Sequence, residues 1–347
     1  MKNIYIKLAE KLNNNSLALA TVIEKRGSAP QIPGSSALFS SKRLLTGTVG
    51  GGLLEVNTQK RAYRALHKKT SIIYKFSLTA DISSSEEPIC GGEATILIDG
   101  CPQDHIEIFQ DIADSMDKRQ PGVLLTHITK TEVDASLDRY WIEAEGKEKN
   151  AVFVKFREEI SNSLLSKKPE LIKTKEDELI FLEPIYPLPN LIIAGAGHIG
   201  QALSHLARLL DFEVTVIDDR WEFANKDRFP EAHNIIVDDI GRAMASVEIY
   251  PDSYIVIVTR DHKNDADALR QCIDSEAAYV GMIGSKRKIE LMREKFLQEG
   301  WATPDQWEQV YAPIGIDIHS KTVQEIAISI AAQLVLIRRQ INSGEKL

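Results

Sequence analysis

The strongest constraint on this chain lies beyond Asn190, where short runs of uninterrupted apolar residues alternate with helical stretches. The runs are Leu191 to Ala194, Val214 to Ile217, Ile235 to Val237, Tyr254 to Val258 and Tyr279 to Ile283. A strand with one face in water alternates polar and apolar residues, whereas strands that are apolar throughout belong in a parallel sheet covered by helices on both faces. A last apolar helix, at about Val323 to Ile337, is placed to close such a domain. The expected fold class is α/β, ending in a Rossmann-like doubly wound parallel sheet.

At the tip of the first run stands Gly195-Ala196-Gly197-His198-Ile199-Gly200. A bare G-x-G-x-x-G match carries little weight, but this one directly follows a strand and opens a helix rich in Ala202, Leu203, Leu206, Ala207 and Leu210. In that context Gly195 permits the tight turn, Gly197 lets the backbone approach a pyrophosphate, and Gly200 allows close helix packing. Free amides at the helix start, around His198, hold the anion. The competing reading is a tight turn that binds nothing. Asp218 ends the next strand, with Asp219 and Arg220 behind it. Acids there suit a hydrogen bond to an adenosine ribose hydroxyl, and the arginine leaves room for a 2′-phosphate, so NAD and NADP both stay open.

Two further strand ends fall on the same crest, Thr259-Arg260-Asp261-His262 and Gly284-Ser285-Lys286-Arg287. The second offers helix-start amides and two cations, and anionic ligand groups suit such a place. For the stretch Asp261 to Asp265, a metal ligand or an acid/base group is the sharper reading and a helix cap at Asp265 the plainer one. His262 is the best candidate for proton transfer if the domain carries out chemistry.

The 347 residues exceed one ordinary core and accommodate two domains. The first is expected over 1–185 and the Rossmann-like domain over 186–347. In the first half, Ser16 to Lys25 and Ala37 to Phe39 read as strands separated by the turn-rich stretch Gly27 to Gly34. Gly50-Gly51-Gly52 opens a helix to about His67, and strands at Ile72 to Phe76, Thr95 to Ile98 and Val123 to Thr126 alternate with a helix at Glu107 to Met116. A separate α/β domain with a mixed sheet follows. The polar stretch Ser161 to Glu178 and the prolines at 184, 187 and 189 mark a linker near 161–185.

Two features of this half suggest ligand chemistry. The glycine triplet makes a concavity of amides able to hold an anion. Cys90, beside Gly91 and Gly92, is sterically accessible as a soft ligand or sulfur carrier. The plainer readings are a tight strand-to-helix connection and a small buried hydrophobe.

Forty-two basic against 50 acidic residues give a net charge of -8 with no basic stripe, which argues against nucleic acid. Neither a signal peptide nor an apolar run of spanning length is visible, so a cytoplasmic protein away from membranes is expected. Three cysteines, Cys90, Cys101 and Cys272, form neither a zinc pattern nor a disulfide framework. A hydrolase is disfavoured because no Gly-x-Ser-x-Gly elbow and no two-histidine metal helix occur.

Taken together, several blocks resemble the XdhC/CoxI family of accessory proteins for molybdenum hydroxylases such as xanthine dehydrogenase. They are Arg26 to Pro30, Gly47 to Glu55 and Cys90-Gly91-Gly92, and in the second half Gly195 to Leu203, Asp218-Asp219-Arg220 with Arg228-Phe229-Pro230, Thr259 to Asp265, Gly281 to Lys288, and Pro313 to Ile318 with Glu325-Ile326-Ala327. The likeness leaves mainly Cys101 to Leu188 uncovered. Gln31 stands where many relatives have arginine, and His319 where glycine often follows.

The resemblance implies a chaperone that binds molybdenum cofactor (molybdopterin), protects it while its terminal sulfur is installed, and delivers it to a hydroxylase apoenzyme. On that reading Gly50, Gly51 and Gly52 offer amides to the cofactor's phosphate, and Cys90 contacts its molybdenum or sulfur. A cysteine desulfurase is then a second expected partner, and a homodimer is compatible. The rival readings are an NAD(P)-dependent oxidoreductase, with the first half holding its substrate, and a nucleotide-sensing regulatory module.

Overall fold

A computed structural model describes residues 4–12, 16–27, 31–77, 92–131, 134–145, 154–174 and 178–343. The chain forms two compact units, Lys2–Pro187 and Leu188–Leu347.

Among the described residues the first unit has nine strands: β1 (Leu17–Arg26), β2 (Ser36–Ser40), β3 (Leu44–Gly47), β4 (Ser71–Ser77), β5 (Glu93–Asp99), β6 (Gly122–Lys130), β7 (Ala135–Glu143), β8 (Glu170–Lys173) and β9 (Leu179–Ile185). Their order is β3-β2-β1-β5-β4-β7-β6-β9-β8. The sheet is antiparallel at each pairing among the described residues. Helices α1 (Ile4–Leu12), α2 (Gly52–Lys68), α3 (Ile106–Asp117) and α4 (Arg157–Ser166) cover it. Strand β1 shows why the sequence reads as α/β. Leu17 and Leu19 join the cluster of α1 and α3, while Ala18, Ala20 and Val22 join that of α2. An antiparallel sheet with helices on both faces has the same unbroken apolar strands as a parallel one.

The linker expected near 161–185 is corrected by the structure. Helix α4 occupies 157–166 and buries Ile160 and Ser163, β8 forms an edge strand, and β9 is buried along nearly its whole length beside β6. In the helical part of that stretch the exposed polar residues are uncharged, Ser161 and Asn162 among them; the described charges Lys167, Lys168, Glu170 and Lys173 follow on an exposed turn and on the edge strand, where they block further strand pairing. Pro184 lies beyond the part of β9 paired with β8, where a missing N–H is tolerated.

A buried polar group crosses this unit. Arg139 donates to Asp99 at 2.5 Å, both side chains almost wholly enclosed, and Tyr5 donates a short hydrogen bond to Glu183. Burial pushes the Glu183 carboxyl from its ordinary 4.5 to about 7, against the opposing pull of Tyr5 and Arg139.

The second unit is the expected doubly wound sheet. Strands β10 (Asn190–Ala194), β11 (Glu213–Asp218), β12 (Asn234–Val237), β13 (Ser253–Ile257), β14 (Tyr279–Met282) and β15 (Val310–Tyr311) run parallel in the order β12-β11-β10-β13-β14-β15. Helices α5 (His198–Leu209), α6 (Ile240–Ser246), α7 (His262–Arg270), α8 (Lys286–Gln298), α9 (Pro304–Glu308) and α10 (Val323–Ser343) complete it. One face packs α5 and α10 against Leu191, Ile193, Val214 and Val256. The other packs α6, α7 and α8 against Ile192, Ala194, Ile217, Ile255 and Ile257. The strand order reverses between β10 and β13, and ligands of such folds sit in the crevice outside that reversal.

His319 adopts φ +56°, a left-handed conformation that glycine takes without cost. A glycine often found at this place therefore has a backbone reason, and His319 meets it as an exposed turn residue whose amide donates to Asp317.

Candidate functional site

The loop after β10 is shaped by two glycines and left open at a third. Gly195 has φ +120°, its amide donates to the Ile217 carbonyl at 2.8 Å, and a Cβ there would stand 2.4 Å from the Val258 oxygen. At Gly200 a Cβ would meet the Gly195 oxygen at 2.1 Å. Both are demanded by the fold. Gly197 is different: its backbone is ordinary (φ -67°, ψ -171°), and a Cβ would touch nothing within 4 Å. Protein packing gives no reason for a glycine there, whereas a pyrophosphate lying on the loop does.

The amides that follow are available. Gly197 is the N-cap of α5 and no side chain caps that helix start. The neighbouring helix starts on the crest are closed by their own side chains. Asp261 caps α7, accepting from the amides of Lys263 and Asn264, and Ser285 caps α8, accepting from Lys288. Ser285 is therefore engaged with its own helix. His198, the first residue of α5, is exposed.

Asp218, at the end of β11, is engaged with its own neighbours. One carboxylate oxygen accepts from the Ala196 amide at 2.8 Å and from Arg220 Nη2 at 2.9 Å. The other accepts from the Arg220 amide and Nε. With four donors on two oxygens the carboxylate is saturated and holds the Gly195–Gly200 loop in shape, so a ribose hydroxyl would have to displace one of them. Burial raises its pKa, but the bonds from Arg220 and Ala196 outweigh burial and hold it below the usual carboxylate range. Asp219 is the more accessible acid at this strand end and pairs with Arg260 at 2.8 Å.

Arg228 was not among the expected site residues. Its Nη2 reaches the Ala196 oxygen at 3.4 Å, and its buried Nε finds no hydrogen-bond partner among the described residues. Arg220 and Arg228 both lie over the Phe223 ring, at 3.9 and 5.0 Å from its centroid. A guanidinium beside a loop of bare amides suits an anion. The sequence signal was Phe223 and Arg228 following the acid pair, which spacing alone does not single out.

The helix cap expected at Asp265 belongs to Asp261. Asp265 is fully buried one turn later, accepting from the Thr259 hydroxyl at 2.6 Å and forming a short ion pair with Lys288. Burial raises its pKa against the pull of Lys288 and Thr259. These contacts tie the ends of β13 and β14 together. The crest residues are thus joined: the loop to Asp218 and Arg220, Asp219 to Arg260, and Thr259 to Asp265 and Lys288. His262 opens α7 and is exposed.

In the first unit, Gly50, Gly51 and Gly52 all have positive φ and lead into α2, whose start has no side-chain cap. The Gly50 amide is occupied by the Thr48 hydroxyl at 3.1 Å, which itself donates to Glu55 at 2.7 Å. A Cβ at Gly51 or Gly52 would meet nothing within 4 Å. An anion here would meet amides from Gly51 onward, with the Glu55 carboxylate nearby. Cys90 and Gly91 lie outside the described residues. The described cysteines are free, and burial pushes the Cys272 thiol up to about 12. Among the described residues no three His, Cys, Asp or Glu side chains are grouped to hold a metal ion, and no helix is long and apolar enough to cross a membrane.

A family profile described as the XdhC Rossmann domain matches residues 191–334, and one for the XdhC and CoxI family matches residues 12–77. The chain is 24% identical over 344 residues to a Bacillus subtilis protein named as a probable subunit of xanthine dehydrogenase, covering 98% of this chain and 99% of that one. It is 31% identical over 157 residues to the uncharacterised protein YqeB of Escherichia coli, a match spanning 45% of this chain and 28% of that protein. It is 26% identical over 152 residues to the molybdenum cofactor insertion chaperone PaoD of Escherichia coli, spanning 44% of this chain and 41% of that one. A crystal structure described as a xanthine dehydrogenase from Bacillus halodurans shares the fold, with a TM-score of 0.79 over 97% of this chain and 96% of that one at 24% identity.

Proposed function

This chain belongs to the XdhC/CoxI family, and from that premise we propose that it is an accessory protein of a molybdenum hydroxylase such as xanthine dehydrogenase, binding molybdenum cofactor and delivering it to the apoenzyme. The observation that carries this reading is the match from end to end with a protein named as a probable xanthine dehydrogenase subunit. The partial match with a named insertion chaperone points the same way.

Each unit has a part in this proposal. In the second, the amides of α5 hold a dinucleotide diphosphate over Gly197, with Arg228 beside the loop and the saturated Asp218 keeping its shape. In the first, the amides from Gly51 onward meet the cargo's phosphate, and Cys90 meets its molybdenum or sulfur end. The open space at Gly51, Gly52 and Gly197 is what a bound phosphate requires. The protein works in the cytoplasm, where the cargo and its sulfur donor, a cysteine desulfurase, are at hand.

The test is transfer. The protein, isolated from cells that make molybdenum cofactor, is mixed with an apo molybdenum hydroxylase freed of cofactor, and hydroxylase activity is followed. Activity restored in proportion to the added protein supports delivery. Activity that stays at the level of the apoenzyme alone contradicts it.

A further inference from the structure

We propose that the groove between α7 and α8 is a second ligand site of the C-terminal unit, taking a phosphate ester with a flat aromatic body, and that it works independently of the Gly195–Gly200 loop.

The groove encloses about 960 Å³, the size of a small-molecule site. Its floor is apolar: Ala266 and Met292 are buried beneath it, each 6% exposed, and Leu291, at 57%, and Trp301 extend the same lining. An isolated exposed leucine needs no explanation. Here it continues a concave apolar surface that ends at Trp301, whose ring is covered by Arg270 at 4.0 Å from its centroid, so a flat ring lies on the aliphatic floor of Ala266, Leu291 and Met292 beside the indole rather than on it.

The charge along the lining is unbalanced. Lys288 is held by Asp265, and Arg260 is shared between Asp219 and Asp261. Asp261 is further engaged by the amides of Lys263 and Asn264. That leaves Lys263, Arg287 and Lys295 facing the single remaining carboxylate of the lining, Asp267. The side chains of Lys263 and Arg287 are exposed and form no ion pair among the described residues, and Lys295 lies 5.2 Å from the Trp301 ring centroid. The five cations Arg260, Lys263, Arg287, Lys288 and Lys295 stand against the four carboxylates Asp219, Asp261, Asp265 and Asp267, so the groove keeps a net positive charge, carried at the unpaired Lys263 and Arg287, and that sign attracts the anion of a phosphate ester. The apolar floor distinguishes this site from one for inorganic phosphate: the ligand needs a hydrophobic body attached to its anion.

Independence from the loop follows from the capping. The starts of α7 and α8 are closed by Asp261 and Ser285, so the groove binds through side chains, whereas the loop binds through bare amides. The proposal stands whether or not the loop holds a dinucleotide.

The probe is flavin mononucleotide, titrated into the full-length protein at low ionic strength and followed by quenching of flavin fluorescence. Riboflavin, which lacks the phosphate, is the control. The expected result is saturable binding of the mononucleotide, at least tenfold weaker binding of riboflavin, and at least tenfold loss in a Lys263→Glu/Arg287→Glu double variant. Both residues are exposed, so an unchanged Tm is expected to confirm that this variant folds. Gly197→Val leaves flavin mononucleotide affinity within twofold of the parent. Equal affinity for the two flavins, undiminished binding in the charge-reversed variant, or loss of binding in Gly197→Val would each overturn the proposal. Failure of the mononucleotide to bind at all would overturn it too.

Discussion

If Gly197 is glycine for the sake of a ligand and Gly195 for the sake of the fold, substitution must separate stability from binding. A valine at 197 meets no protein atom within 4 Å of its Cβ and takes an ordinary backbone conformation. Its cost is the weaker N-cap, about 1 kcal/mol, offset by the about 0.4–1 kcal/mol gained from a less free unfolded chain. The expected change in unfolding free energy is within about 1 kcal/mol. An alanine at 195 keeps φ at +120° and places its Cβ 2.4 Å from the Val258 oxygen. The backbone conformation alone costs about 1–3 kcal/mol, and the overlap forces the end of β13 to move. The assay is urea unfolding without ligand, paired with titration of NADH and NADPH by fluorescence. Gly197→Val should unfold like the parent yet bind at least about tenfold more weakly, a loss of about 1.4 kcal/mol. Gly195→Ala should unfold at clearly lower urea. A Gly197→Val protein that binds nucleotide normally, or loses as much stability as Gly195→Ala, would refute the division of roles.

Further outcomes follow from other residues. Glu183, raised by burial from 4.5 to about 7, is protonated in the folded state over a pH range where the unfolded chain has lost that proton, so stability falls as pH rises through that window, by about 3 kcal/mol in all. In Glu183→Gln that component of the slope between these pH values disappears, as read from urea midpoints; an unaltered slope would remove Glu183 as its source. Asp218→Ala leaves the Ala196 amide without its acceptor and Arg220 with only the looser pair to Asp219 at 3.9 Å, a cost of about 1–3 kcal/mol. It should also weaken nucleotide binding through the disordered loop, and a variant as stable as the parent would show that the carboxylate holds nothing. Cys90→Ala is expected to lower the molybdenum content of the isolated protein more than its pterin content, measured by metal analysis and pterin fluorescence; equal retention of both would take Cys90 out of the proposed site.

Much of the C-terminal unit was legible because its strands are buried on both faces. Leu191 to Ala194 and Tyr254 to Val258 leave no room for an alternation that would mislead, and the glycines at 195 and 200 mark places where a backbone must pass close to another. In the first unit the same logic could not fix the strand directions. Helices on both sides of β1, and α2 on one side of β5 with other strands' side chains on the other, make an antiparallel sheet apolar throughout, and only the pairing distinguishes it from a parallel one. Edge elements were the hardest to read: the end of α4 is largely polar and β8 and its flanks are charged, enough to look like a linker, since the side that packs is a few residues wide.

Of the site, the loop glycines could be read because backbone proximity leaves a mark in sequence. The partners of the acids could not. Whether Asp218 faces a ribose or an amide, and whether Asp261 or Asp265 caps α7, depends on side-chain directions that differ by one helical turn or one rotamer. Arg228 reaches the loop from 32 positions away in sequence, and Lys288 finds Asp265 across 23; no local pattern announces either.

The central claim, that the protein carries molybdenum cofactor, is tested most directly by its bound pterin. Protein isolated from cells competent to make the cofactor is denatured and oxidised, and the fluorescent pterin released is counted against protein. The account predicts close to one pterin per chain, absent from protein made in cells unable to synthesise the cofactor. No pterin above that background would contradict it.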